Sequence, residues 1–219
     1  MNSLWGAGQM MFNKILVVTD ADIDLNDSHA VASLVCRCVH PVEDVIFNRG
    51  PVDVLDHSSS RFALGSKLGI DATTKLPGES GYASKPVIDF SDNHPAFTGL
   101  TLNTSLLKDH FPILIIGIDK SIMNIRELHQ RLCEKGAFQD VNWVVYVDPE
   151  AANIRINDIV WLVANNIDPL RDCFYARTER DPDTLPMAID GTGKSLSADG
   201  FLRQWPNVLV MDDKTISEV

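Results

Sequence analysis

Two stretches of this sequence, 128 positions apart, carry one pattern, and that recurrence limits the fold more than any other feature. The apolar run at residues 15–19 (ILVVT) ends at Asp20, and the run at residues 143–147 (WVVYV) ends at Asp148. At the same offset Val17 lies on Val145, Leu34 on Leu162, Val35 on Val163, Pro41 on Pro169 and Asp44 on Asp172 without a gap. Further on, Gly69-Ile-Asp-Ala-Thr-Thr-Lys75 meets Ala188-Ile-Asp-Gly-Thr-Gly-Lys194 at an offset of 119, so the loop between is nine residues shorter in the second half. Shared order and register, closed by a common I-D-x-T-x-K ending, point to internal duplication.

The elements follow from periodicity. Residues 15–19 read as a buried, parallel strand. An acidic turn, Asp20 to Asp24, leads to a helix capped by Asp27 or Ser28, with Val31, Leu34, Val35 and Cys38 at helical spacing and Pro41 beyond its end. Residues 45–47 form the next short strand, completing a strand–helix–strand unit. In the second half, residues 112–119 (PILIIGID), 143–147 and 173–176 read as strands, and 122–135 and 157–167 as helices. The expected fold is α/β: two similar βαβ-based halves, layered α/β/α with mostly parallel sheets. Residues 78–104, rich in Gly, Ser, Asn and Pro, form the connector between a unit at 15–95 and a second at 96–219. Residues 3–12 (SLWGAGQMMF) read as one short apolar helix, and 208–211 (VLVM) as a last strand.

The bulk numbers exclude several classes. A formal charge of −11 over 219 residues argues against nucleic acid or an anionic membrane as the main partner. No run of 18 apolar residues suggests a membrane span. The cysteines, Cys36, Cys38, Cys133 and Cys173, form no C-x-x-C pair and have no histidine at zinc-finger spacing, so they read as buried thiols in a reducing cytoplasm.

Three groups of residues carry possible chemistry. Residues 63–79 (ALGSKLGIDATTKLPGE) have few apolar groups, three glycines, and Lys67 and Lys75 on either side of Asp71, Thr73 and Thr74. They read as a loop with the donors to hold an anion, or simply as a solvated loop in which Asp71 binds nearby N–H groups and Lys75 pairs with Glu79. Asp20, Asp22, Asp24 and Asp27 follow a strand, where metal-dependent phosphotransfer enzymes place carboxylates. As a calcium loop they fail, with Leu25 and Val31 where Gly and Glu belong, and capping explains them better. Residues 188–195 (AIDGTGKS) nearly spell a phosphate loop, but the residues on either side do not read as its strand and helix, and the repeat explains the stretch better.

The segment ILVVTDADIDLNDSHAVASLVCRCVHPVEDVIFNRGPVDVLDH (residues 15–57), followed by GSKLGIDATTKLPGE (residues 65–79), resembles the C-terminal region of the UbiD family, the 3-octaprenyl-4-hydroxybenzoate carboxy-lyases and related decarboxylases that use prenylated FMN. The LWG-x-GQM run at the start is similar to a family helix arriving from a catalytic part, which makes residues 1–14 the expected continuation from an upstream domain. The resemblance implies a lyase that removes CO2 from an aromatic or unsaturated acid, with quinone biosynthesis as the family-level pathway. It implies prenylated FMN, with a divalent metal, held mainly by an upstream flavin-binding domain, and Lys67, with Asp71 and Lys75 beside it, as cofactor contacts. No catalytic residue and no metal ligand is assigned in this chain, and no cofactor is expected in it alone. Its expected work is to close the active site and support a homo-oligomer. The alternatives are a stand-alone binding or assembly module, and a metal-dependent phosphotransfer enzyme using Asp20 and Asp22.

Overall fold

The computed structural model describes residues 1–79, 88–178 and 185–207, with Thr215 and Ser217. The strand expected at 208–211 and part of the connector lie outside the described residues. The fold is layered α/β with two sheets.

The N-terminal segment is not one helix. A single turn, α1 (Asn2–Trp5), is separated by Gly6 and Ala7 from a 3-10 helix, Gly8–Phe12. Then come β1 (Ile15–Val18), α2 (Ser28–Cys38), β2 (Val45–Pro51) and β3 (Leu64–Asp71). Asp27 caps α2 by accepting the Ala30 N–H at 3.0 Å, as its place before the helical pattern implied. The second half adds β4 (Thr101–Asn103), α3 (Ser105–Lys108), β5 (Ile113–Gly117), α4 (Ile125–Glu134), β6 (Trp143–Val147), α5 (Ile156–Asn166), α6 (Pro169–Asp172), β7 (Cys173–Phe174), β8 (Met187–Asp190) and α7 (Leu196–Asp199).

The strand order is β1-β3-β2 in the first sheet and β4-β5-β6-β8-β7 in the second. β1 runs parallel to β3 while β2 pairs antiparallel with it; likewise β6 runs parallel to β8 while β7 pairs antiparallel with it. The sheets are thus mixed rather than mostly parallel. The helix α2 does not link neighbouring parallel strands, because β3 lies between β1 and β2. The largest departure from the sequence reading is β3 itself. Residues 64–71, read above as loop, form the middle strand of the first sheet.

Alternation in the second sheet explains its unbroken apolar runs. Leu114, Ile116, Val144, Tyr146 and Ala188 pack with Leu128 and Leu132 of α4 on one face. On the other face Ile115 and Val147 meet Ile159 of α5, while Trp143 and Met187 meet Leu68 and Ile70 of β3 and Leu34 of α2. Strands buried on both faces need apolar side chains at every position. This shared cluster also means that the two units expected at 15–95 and 96–219 bury apolar surface against each other.

Candidate functional site

The sites grow from the carboxyl ends of β3 and β8. Asp71 ends β3, and its Oδ1 accepts the Thr73 N–H at 3.0 Å and the Thr73 hydroxyl at 2.7 Å. That tight turn brings Lys75 back, so its Nζ donates to the Asp71 carbonyl at 3.1 Å and lies 3.0 Å from Asp44 Oδ1 and 3.9 Å from Asp71 Oδ1. Asp44 is itself fixed, its Oδ2 accepting the His40 N–H at 2.7 Å. Asp20, at the end of β1, accepts both the N–H and the hydroxyl of Thr74, at 2.8 and 2.6 Å. Those bonds hold its carboxyl below the usual range.

The second half repeats these bonds nearly atom for atom. Asp190 Oδ1 accepts the Thr192 N–H and hydroxyl, at 3.1 and 2.5 Å, and Lys194 Nζ donates to the Asp190 carbonyl at 2.9 Å. Lys194 lies 3.1 Å from Asp190 Oδ1 and 3.7 Å from Asp172 Oδ1, and Asp172 Oδ2 accepts the Asp168 N–H at 2.7 Å. Asp148 accepts the Gly193 N–H at 2.9 Å. What differs is burial. Asp71 is 44 % exposed at its side chain, Asp190 only 13 %. Burial pushes Asp148 and Asp172 up, whereas Asp20, in the open copy, is pulled down by Thr74. The second copy is further closed by Lys120, whose Nζ lies 2.7 Å from both Asp199 Oδ1 and the Gly193 carbonyl.

These bonds settle the near-phosphate-loop at 188–195. A strand does precede its turn and a helix does follow, but α7 has four residues and Lys194 is buried among protein acceptors, with no ammonium turned to a phosphate. Among the described residues no group of three or more His, Cys, Asp or Glu is placed to hold a metal ion. Asp20, one of the two carboxylates of the phosphotransfer alternative, is taken up by Thr74.

Lys67 is not on a loop. It sits at the middle of β3, opposite Asn48, and is 1 % exposed. Its Nζ donates to the carbonyls of Met11 and Asn13, at 2.5 and 2.9 Å, so it clamps the end of the 3-10 helix onto the sheet. Burial lowers its pKa. One ammonium N–H remains beyond those two carbonyls, so a flavin phosphate would meet Lys67 through a single donor beneath the N-terminal segment. Lys75 is saturated by Asp44 and Asp71, not by Glu79, whose carboxylate instead accepts the Leu76 N–H. The structure brings Asp71 and Lys75 together and leaves Lys67 separate, four strand positions before Asp71.

The sequence reading passed over the segment at residues 56–59, which joins the halves. Ser58 and Ser59 are fully buried. Ser58 Oγ lies 2.7 Å from Asp56 Oδ1 and 2.9 Å from the Ile167 carbonyl, and Lys14 Nζ donates to it at 3.1 Å. Arg171 donates to the Ser58 carbonyl and Arg203 to the Ser59 carbonyl, both at 2.7 Å. The D-H-S-S wording gave a signal, since adjacent serines after an apolar run need partners if buried. Three of those partners, Ile167, Arg171 and Arg203, lie more than a hundred positions away.

A layered α/β unit whose strand ends carry paired Asp–Lys turns is the class that these observations define. Residues 1–72 match the family model described as 3-octaprenyl-4-hydroxybenzoate carboxy-lyase C-terminal domain. Over that third of its length the chain is similar to the C-terminal region of the UbiD-family decarboxylases. Uncharacterized proteins from two strains of Helicobacter pylori are 30% and 29% identical, each match covering 94% of this chain and 32% of the relative. The chain thus spans about a third of the length of these relatives. Among solved structures, vanillic acid decarboxylase of Sedimentibacter hydroxybenzoicus in closed form is 30% identical, covering 41% of this chain and 19% of that one, with a TM-score of 0.34. The UbiD-class enzyme HmfF from Pelotomaculum thermopropionicum, in complex with FMN, is 30% identical, covering 40% and 20%, with a TM-score of 0.31.

Proposed function

We propose that this chain works as the C-terminal region of a UbiD-type carboxy-lyase acting on an aromatic or unsaturated acid, and that it closes the active site and supports a homo-oligomer rather than carrying the reacting groups. The observation that carries this reading is the family match over residues 1–72. In the same reading a prenylated flavin, with a divalent metal, is held mainly by an upstream catalytic domain. When bound, the flavin supplies the electron sink for decarboxylation. What this chain's own residues contribute is positioning. Lys67 fixes the segment at residues 8–13 against β3, and the Asp–Lys turns hold the strand ends rigid. Cytoplasmic placement and a step in quinone biosynthesis belong to the same proposal, as does a flavin contact from Lys67, Asp71 or Lys75.

The native protein, purified from its source cells, is expected to carry flavin absorbance and to release CO2 from at least one member of a panel of such acids. Flavin-free protein that releases none overturns the proposal. The 219-residue chain produced alone is expected to release none, and turnover by it would overturn the positioning role. Lys67→Ala in the native protein is expected to lower flavin retention; unchanged retention removes Lys67 from the cofactor's contacts.

A further inference from the structure

Where β2, the start of β3 and α6 meet, the surface opens into a cleft of about 340 Å3. Arg49 and Arg61 line it, together with Ser66, Asp168, Leu64 and Leu170. Arg49 stands directly across the strand pair from Ser66. Asp168 is already committed: it accepts the Ser66 N–H at 3.3 Å and, through a short bond, the Ser66 hydroxyl, which in turn accepts the Leu170 N–H at 2.8 Å. The third arginine at the cleft, Arg171, is paired with Asp172 at 2.6 Å. The side chains of Arg49 and Arg61 have no hydrogen-bond or carboxylate partner among the described residues. In a chain of net charge −11, two unpaired guanidinium groups therefore share a cleft whose one lining carboxylate is engaged elsewhere.

We propose that this cleft binds a small organic anion, with a carboxylate or phosphate head and an apolar body. The planar guanidinium fork matches both heads, because each presents two oxygens at the right separation for paired N–H donors. The apolar body is argued from the walls: Leu64 is 43 % exposed and Leu170 41 %, so an anion carrying a ring or acyl chain removes apolar surface from water that a bare ion leaves wet. Ser66, Asp168 and α6 make the floor rigid, since their bonds to one another do not depend on the ligand. The site does not depend on the carboxy-lyase reading, because none of its residues is assigned to that chemistry.

Isothermal titration of the full chain with benzoate, phenyl phosphate and inorganic phosphate tests the proposal. Saturable binding of benzoate or phenyl phosphate is expected. It should weaken about tenfold or more in the double variant R49Q/R61Q and stay within about twofold in R155Q, an exposed arginine paired on another element. Both arginines are exposed, so the double variant keeps its fold, and matching circular dichroism verifies that. Benzoate binding alone assigns a carboxylate head, and phenyl phosphate binding alone a phosphate head. Inorganic phosphate binding as tightly as phenyl phosphate would overturn the organic ligand. Absence of saturable binding at about 10 mM, or binding unchanged in R49Q/R61Q, would overturn the site itself.

Discussion

Two lysines in this chain hold the same bonds in different surroundings, and the difference sets what each contributes. Lys194 neutralises Asp172 and Asp190 where all three are removed from water. Its loss takes the ion-pair partner from Asp190 and leaves buried Asp172 to Arg171 alone, and Lys194→Met is expected to cost about 3–5 kcal/mol of stability by urea denaturation. Lys75→Met takes the ion pair from Asp44, 13 % exposed, but leaves Asp71, 44 % exposed, in reach of water, and should cost less. A third buried group, His129, sits between Tyr146 and Cys133, its Nδ1 3.0 Å from the Tyr146 hydroxyl. Burial lowers its pKa to about 4 from an ordinary 6.5. Between those values the unfolded chain binds a proton that the folded chain refuses. Stability from this histidine is therefore complete above pH 6.5 and falls as pH drops toward 4, by about 3 kcal/mol. His129→Gln should flatten that part of the stability–pH curve, which denaturation at pH 7 and pH 4.5 measures.

At the scale of elements, the chain shows what a sequence pattern carries and where it fails. β5, β6, α4 and α5 were legible because their apolar residues recur at strand or helix spacing and both faces are covered. The turns after β3 and β8 were legible as a repeat, down to the Asp–Thr–Lys spacing. β3 was not legible. Its sequence LGSKLGID holds two glycines, a serine and a lysine, which lack the usual strand preference. Gly69 serves there because a Cβ would come within 3.0 Å of the Trp5 ring and nearer still to Met1, and Lys67 because carbonyls of a distant segment receive it. Neither reason is visible in the strand's own residues. Another close approach gives a prediction. A Cβ on Gly117, at the end of β5, would meet the Ala152 Cβ at 2.9 Å, the Thr101 Cβ at 3.3 Å and the Pro149 Cα at 3.4 Å. Gly117→Ala must push β4 and the turn at Pro149–Ala151 outward and is expected to cost about 1–3 kcal/mol, read from the urea midpoint.

At the scale of the molecule, the seam between the halves decides how it unfolds. Leu34, Leu68 and Ile70 from the first half and Trp143, Cys173 and Met187 from the second form one buried cluster, and Arg171 and Arg203 reach across to the carbonyls of Ser58 and Ser59. The expected outcome is a single urea transition, with circular dichroism and tryptophan fluorescence coinciding. A fragment of residues 1–95 is expected to expose the cluster and fail to give a cooperative transition; a well-folded fragment would show that the cluster is dispensable.

The ends of the two sheets have a consequence for behaviour in a crowded solution. A strand with one open side is a template on which another chain can add itself, the first step of aggregation. The second sheet limits that hazard by brevity, since its outer strands β4 and β7 have three and two residues. The first sheet has a seven-residue outer strand, β2, and must protect it by composition: Asn48, Arg49 and Gly50 are followed by Pro51, which has no N–H to offer an incoming strand. Pro51 and Arg49 thereby act as gatekeepers, and their replacement by valine should shorten the lag before fibrils form, as followed by thioflavin T fluorescence.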